Sequence, residues 1–343
     1  MPTPRKLPLY VVAELQARES RKKRDFSAAI DRAGEAAHLA LQAGDETAWW
    51  NMTYLQAECH RDHGSIPECL ELAKHLAGHP LSAAQPPLAA RAFTLLAVAL
   101  QGLGRLPEAA EAATSAAALV AGDDEHVYLH IQAQQGLIAA LAESRHLDEA
   151  WSECLALETL LLTDLVDEDT AGKAYWVIGN VAFLSERLAE GGRCHDLAAE
   201  RLSRSKDVDL WARFNRASAV MRLEAKLTDQ ATLRCIERAE LATEAVGGTD
   251  RDLLEMSFAR AHWYYLTGDM ASAIALLEPI CTRSGILAVQ TAGEASFLLG
   301  KSLLACGDWT EALRRLETGA AFFDRAAAFE RGAEVRAFMA TVE

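Results

Sequence analysis

Apolar residues recur along this chain at the three- to four-residue spacing of amphipathic helices, and short polar turns interrupt them at regular intervals. After each turn a polar residue or glycine precedes a hydrophobe, two further residues and a small residue, as in residues 146–150 (HLDEA) and 308–312 (DWTEA). The small residue lies at positions 29, 69, 109, 150, 191, 232, 273 and 312, at steps of 39 to 41 residues, and the copy at residues 229–232 is the weakest. A repeat of this length is typical of stacked helix hairpins.

The pattern predicts an all-α fold, a right-handed α-solenoid of about eight helix hairpins with a C-terminal capping helix over residues 326–341. The turns are expected near residues 25, 65, 105, 146, 187, 228, 268 and 307, in one domain that spans residues 1–343. About 17 helices and no strand are expected. The small residue is expected where the two helices of a hairpin cross, because a longer side chain would overpack that crossing.

Composition supports helices and narrows the function classes. Ala accounts for 66 of the 343 residues, whereas Pro accounts for nine, which disfavours sandwiches, barrels and disorder. A net charge of −15 disfavours direct binding of nucleic acid, since phosphates are bound through clustered Lys and Arg. No apolar run reaches the 18 or so residues of a membrane span, and the N-terminus does not read as a signal peptide. We expect a cytoplasmic protein, and the composition, rich in Ala and Arg, points to a bacterial one.

The sequence carries no pattern typical of catalysis or metal binding. It has seven Cys at wide spacings without a CxxC, and it lacks a phosphate-binding loop, a GxSxG elbow and a glycine-rich dinucleotide motif. The pairs Cys59-His60 and Cys194-His195 have no second cluster that would complete a zinc site. We therefore expect no enzyme, no cofactor and no metal.

The last repeat resembles the tetratricopeptide repeat (TPR) family. Leu299-Gly300, Leu303, the run Gly307-Asp308-Trp309, Ala312 and Leu316 follow the family's order of conserved types, and Ile178-Gly179 repeats the Leu-Gly element. The period is longer than the family's 34 residues, and the closing proline is mostly absent. The long period is similar to that of the sensor domains of MalT-type activators and of peptide-binding quorum-sensing regulators. The resemblance implies a superhelix whose first helices line a concave groove.

On the first helices, the positions expected to face this groove are rich in aromatic, amide and basic side chains. Amides can pair with the backbone of an extended peptide, aromatic rings supply contact area, and Arg or Lys can hold a carboxylate. The alternative is that these aromatic rings pack between repeats and that the Asn side chains bond neighbouring helices. The candidate ligand-binding residues are Tyr54, Arg91, Gln135, Lys173, Trp176, Asn180, Phe214, Asn215, Phe258, His262, Tyr265 and Lys301.

The sequence favours a non-catalytic regulatory receptor or adaptor that holds a peptide or protein segment in this groove. Two alternatives stay open: the ligand-sensing half of a bacterial transcriptional regulator without its DNA-binding domain, and a structural assembly scaffold. Residues 1–24 carry a net charge of +5. They are expected to be a solvated terminus or to dock an acidic partner, which includes the acidic face of a second copy, so a homodimer is a possible partner state.

Overall fold

A computed structural model describes residues 8–202, 207–247, 249–326 and 328–342, and these residues form helices without any strand. Arg5 and Lys6 of the basic N-terminal segment lie outside the described residues. The contacts divide the chain into two compact units, Met1–Ser185 and Glu186–Glu343. The expectation of one domain stays a prediction, and each unit is described by itself.

The first unit consists of four helix hairpins, one short helix within the second hairpin's connection to the third, and one further first helix. Its helices are α1 (Leu9–Lys22), α2 (Phe26–Gln42), α3 (Glu46–His63), α4 (Ile66–Ala77), α5 (Pro80–Ala84), α6 (Pro86–Gly102), α7 (Leu106–Leu119), α8 (Val127–Glu143), α9 (Leu147–Leu161) and α10 (Glu168–Leu184). The five-residue helix α5 is absent from the sequence prediction. It begins at Pro80, a favourable first helical residue, where His79 Nδ1 accepts a hydrogen bond from Leu81 N–H.

The second unit begins with α11 and continues with three hairpins and a final helix. Its helices are α11 (Leu188–Arg201), α12 (Val208–Glu224), α13 (Gln230–Val246), α14 (Asp250–Thr267), α15 (Met270–Thr282), α16 (Val289–Ala305), α17 (Trp309–Arg325) and α18 (Phe329–Ala340). The final helix begins three residues later than the predicted capping helix, because Ala326 ends α17 instead. Residue 327 of that prediction lies outside the described residues.

The turns between first and second helices share one backbone geometry. In each of the eight turns one residue has positive φ, which places it in the left-handed region that often ends helices. Four of these residues are glycines, which adopt that conformation without a steric penalty. The eight residues are Arg24, Gly64, Gly104, Arg145, Glu186, Lys226, Gly268 and Gly307. The repeats therefore share one backbone conformation at this turn even where the residue type differs.

The small residue of the repeat is buried at all eight positions. It lies in the first turn of each second helix, three residues after the helix begins or, in α13, two residues after. The eight residues are Ala29, Cys69, Ala109, Ala150, Gly191, Thr232, Ala273 and Ala312. In the weakest copy, Asp229 caps α13 by accepting hydrogen bonds from the Thr232 N–H and hydroxyl at 2.8 and 2.9 Å.

The Leu-Gly element of the last repeat marks a close approach of two helices. A Cβ atom on Gly300 would lie 2.7 Å from Cγ and Cδ2 of Leu316 and 3.2 Å from the Ala312 carbonyl oxygen. Leu316 and Ala312 are both fully buried on α17. The residues that carry the TPR resemblance are thus the residues that let α16 and α17 pack closely.

Candidate functional site

The candidate ligand-binding residues lie on the first helices of the repeats. In the first unit α6 contacts α3 and α8, and α8 contacts α10; in the second unit α14 contacts α12 and α16. First helices therefore lie beside first helices within each unit. We call the surface that they form the first-helix face of that unit.

In the first unit, four residues form what we call the Arg91 cluster: Trp50, Asn51, Tyr54 and Arg91. The Arg91 guanidinium carbon lies 4.2 Å from the Tyr54 ring centroid and 5.0 Å from that of Trp50. The two rings stack at 5.4 Å, and Arg91 Nη1 donates to Asn51 Oδ1 at 3.2 Å. Helices α3 and α6 together thus present a cation on an aromatic platform, an arrangement that favours a charged or aromatic ligand group.

The charge of Arg91 has no close counter-ion in the part of the chain that the structure describes. Among the described residues, no carboxylate lies within 4.0 Å of its guanidinium nitrogens. Burial, and then the charge of Glu58, raise the pKa of Tyr54, so its hydroxyl stays protonated at neutral pH. The Arg91 cluster therefore offers one positive charge, a neutral phenol and an amide.

Farther along the same unit, the amides of α8 differ in their surroundings. Gln134 is buried and its Nε2 donates to the Glu153 carbonyl at 3.3 Å, so it ties α8 to α9. Gln135 is half-buried, and its Nε2 has no acceptor among the described residues. Gln134 therefore joins two helices, whereas the Gln135 Nε2 is shielded from solvent without a partner among the described residues.

Helix α10 carries three of the candidates on one stripe at positions 173, 176 and 180. Lys173 is exposed and donates to Asp169 Oδ2 at 2.7 Å, one turn earlier in the same helix. Trp176 and Asn180 are half-buried. The ammonium of Lys173 is thus already paired within its own helix.

The structure places two candidates in the core of the second unit. Phe214 is fully buried, and its ring meets the His195 ring edge to face at 5.9 Å. Asn215 is also fully buried, and its Nδ2 donates to the Trp211 carbonyl one turn earlier in α12 at 2.7 Å. Both side chains are therefore packed inside the unit and not on a surface, as in the core-packing alternative that the sequence left open.

The remaining candidates meet in what we call the Lys301 cluster: Phe258, His262 and Tyr265 from α14, and Phe297 and Lys301 from α16. Lys301 Nζ lies 4.5 Å from the Phe297 ring centroid and 4.9 Å from that of Tyr265. The Phe258 and His262 rings stack at 6.3 Å. The sequence prediction thus brings Phe258, His262, Tyr265 and Lys301 together on two neighbouring helices.

Burial changes the protonation of this cluster. Burial, and then the positive charge of Lys301, lower the pKa of His262 to about 4, so the imidazole is neutral at pH 7. Burial also lowers the pKa of Lys301 and raises that of Tyr265. At neutral pH the cluster therefore contains neutral rings and one incompletely solvated ammonium.

Sequence reasoning missed Arg331, which lies beside this cluster on α18. Its guanidinium bonds both oxygens of Glu294 at 2.7 and 2.8 Å and lies 5.3 Å from the Phe297 ring centroid. Helix α18 takes the place of a ninth first helix. The repeat register does not place Arg331 on the face, because Arg331 follows the last recognised repeat.

On the first-helix face of the second unit, two side chains interact electrostatically across an intervening helix. Desolvation and then the charge of Glu294 on α16 raise the pKa of Glu224 on α12, although α14 lies between those helices. Side chains from first helices two repeats apart thus come within electrostatic range.

Two open depressions lie elsewhere and contain no candidate residue. One, of about 550 Å³, lies between α11 and α12 around Arg222, and the other, of about 720 Å³, lies between α7, α8 and α9. Among the described residues no group of three or more His, Cys, Asp or Glu is placed to hold a metal ion. In the same part of the chain no helix is both long and apolar enough to span a membrane.

Comparison with known proteins identifies the fold. No family model matches the chain, and no curated protein matches it in sequence. Among solved structures it is similar to the apo form of the quorum sensor NprR from B. thuringiensis, with a TM-score of 0.64 and 12% identity over 92% of this chain and 87% of NprR. A Rap protein complexed with competence and sporulation factor has a TM-score of 0.61 and 12% identity over 98% of this chain and 90% of the Rap protein. The apo form of RapI has a TM-score of 0.56 and 9% identity over 85% of this chain and 99% of RapI.

These similarities extend over both units, at identities that show the fold alone. The helix hairpins, their 40-residue period and the buried small residue in each second helix agree with that fold. The TPR resemblance expected from the sequence is therefore confirmed at the level of the fold, and this chain is an all-α, TPR-like solenoid of the kind seen in Rap and NprR.

Proposed function

We propose that this chain is a non-catalytic regulatory receptor that binds an extended peptide or protein segment on its first-helix faces. The observation that carries the proposal is the composition of the two clusters. Each joins aromatic rings on one first helix to a cation on the next, and neither cation has a carboxylate within 4.0 Å among the described residues. A scaffold that used only its second helices would not need such sites.

The chemistry of the two faces suits a peptide. Aromatic rings such as Tyr54 and Tyr265 bury apolar side chains at a small entropic cost. The cations Arg91 and Lys301 suit carboxylates. The Rap protein of the same fold, solved with competence and sporulation factor, is a precedent for ligand binding by this kind of solenoid.

Affinity selection from a synthetic octapeptide library, read by mass spectrometry, tests the proposal. The wild-type protein should retain a defined set of sequences, and Tyr54→Ala or Tyr265→Ala should reduce that set or its yield. Trp309→Ala is the matched control, since Trp309 is an exposed aromatic residue on the second helix α17. Retention that is equal in all four proteins, or no retention by the wild type, would contradict a first-helix receptor.

A selected peptide should also stabilise the fold. Linkage predicts about 2.7 kcal/mol at a ligand concentration of 100 Kd, seen as a raised thermal midpoint. Asn180→Ala should weaken that peptide's binding by about 1–3 kcal/mol, because a ligand group would lose its partner. An unchanged affinity in Asn180→Ala would remove α10 from the site.

A further inference from the structure

Lys301 is an unusual cation for the interior of a repeat protein. It is half-buried on the first-helix face of α16, and its ammonium lies over two rings, those of Tyr265 and Phe297. Among the described residues, no carboxylate oxygen lies within 4.0 Å of its Nζ. A partly buried charge without a counter-ion is costly, so the site gains stability when a counter-ion arrives.

The surrounding charges increase that gain. Burial, then Arg331, and more weakly Lys226, lower the pKa of Lys301, whereas Glu294 opposes them. Glu294 is engaged in two hydrogen bonds with Arg331, so its negative charge is already compensated. The region around Lys301 Nζ therefore has a positive potential inside an acidic protein.

The rings around Lys301 define what else a ligand needs. His262 is neutral at pH 7 and stacks on Phe258, so α14 offers an apolar surface beside the ammonium. A carboxylate on Lys301 would leave the adjoining part of the ligand against Tyr265 and the Phe258–His262 pair. The cluster thus combines one anion position with one apolar position.

We propose that the Lys301 cluster is the subsite for a carboxylate of the bound peptide, with an adjacent apolar side chain packed on Tyr265 and Phe258. This inference rests on the proposed function and names the chemistry of one part of its ligand. The carboxylate has two possible sources, the C-terminus of the peptide and the side chain of an Asp or Glu. Either would form a charge-assisted hydrogen bond with Nζ and relieve the cost of its burial.

Three N-acetylated octapeptide pools, alike in their apolar and amide residues, distinguish these sources. The first has a free C-terminal carboxylate, the second a C-terminal amide, and the third a C-terminal amide and one Glu at a random position. Apparent affinity is read from the concentration dependence of the thermal midpoint. We expect the first or the third pool to bind at least about ten-fold more tightly than the second, and the stronger of the two identifies the source.

Variants connect the preference to Lys301. Lys301→Met should abolish the difference between the pools without lowering the midpoint of the free protein, because Met keeps the stem and removes a poorly solvated charge. Lys301→Gln carries the same expectation if the Met variant does not fold, and Lys301→Arg should retain the preference. Lys74→Met is the matched control, since Lys74 is exposed on the second helix α4 and pairs with Glu71.

The failures of the two proposals are distinguishable. Equal affinity for all three pools, or a carboxylate preference that persists in Lys301→Met and Lys301→Gln, would overturn the subsite and leave the receptor proposal standing. Absence of binding by every pool would overturn both.

Discussion

Replacing Gly300 with Ala tests the helix crossing that the repeat pattern predicts. In an open helix this change adds about 0.5–1 kcal/mol of stability, because Ala loses less backbone entropy than Gly. At Gly300 the new Cβ would lie 2.7 Å from two atoms of the fully buried Leu316, and overpacking of this kind costs about 1–3 kcal/mol. The free energy of unfolding should therefore fall by about 0.5–2 kcal/mol.

Gly192 in α11 provides the matched control. It is in the interior of a helix of the same unit, and a Cβ there would meet no atom of the described residues within 4 Å. Gly192→Ala should therefore raise stability by about 0.5–1 kcal/mol. Because the propensity gain is common to both variants, the difference between their unfolding free energies in urea gives the cost of the clash. Equal gains in both variants would refute a close crossing of α16 and α17.

A double-mutant cycle identifies the atom responsible. Leu316→Ala alone should cost about 2–5 kcal/mol as a core truncation. In the Gly300→Ala background the same truncation should cost about 0.5–3 kcal/mol less, since it also removes the clash. Strict additivity of the two changes would mean that Gly300 and Leu316 do not limit the packing.

Three further variants test other levels of the structure. Ala273→Leu should lower the unfolding free energy by about 1–3 kcal/mol, whereas Ala275→Leu on the exposed side of α15 should be near neutral; equal effects in urea titrations would refute the repeat register. Thr249→Ala removes the capping box of α14 and should cost about 1 kcal/mol, with Thr249→Ser as the control that keeps the cap; equal urea midpoints in the two would argue against the cap. The pKa of His262 falls from 6.5 to about 4 on folding, so its contribution is complete above pH 6.5 and is lost as the pH falls towards 4. His262→Gln should therefore flatten the pH dependence of unfolding between pH 4 and 6.5, and an unchanged slope would contradict a buried neutral imidazole.

The site shows where prediction from the sequence ends. The repeat register assigns both Phe214 and Phe258 to the groove side of their first helices, yet Phe214 is fully buried beside His195 and Phe258 is half-buried beside His262. Helical spacing determines which residues share a stripe. Whether that stripe is covered depends on the neighbouring helices, which the spacing does not contain.

Asn215 and Arg331 illustrate the same limit from opposite sides. A mid-helix Asn suggested a clamp for a ligand, but Asn215 bonds the Trp211 carbonyl within its own helix. Arg331 joins the first-helix face through a bidentate pair with Glu294, although it follows the last recognised repeat. Hydrogen-bond partners of long or amide side chains are chosen by tertiary proximity, and no local pattern encodes them.

What the sequence by itself determined is the local and periodic part of this protein: its helices, its turns and the small residue near the start of each second helix. These features arise from interactions within a few residues, such as the Asp45 carboxylate accepting from Ala48 N–H, or from one repeated steric need. The tertiary structure alone decided that Lys301 lies over Tyr265 and Phe297, without a near carboxylate among the described residues, and that Phe214 lies inside. Burial and charge compensation depend on which helices meet, and that is a property of the packed chain.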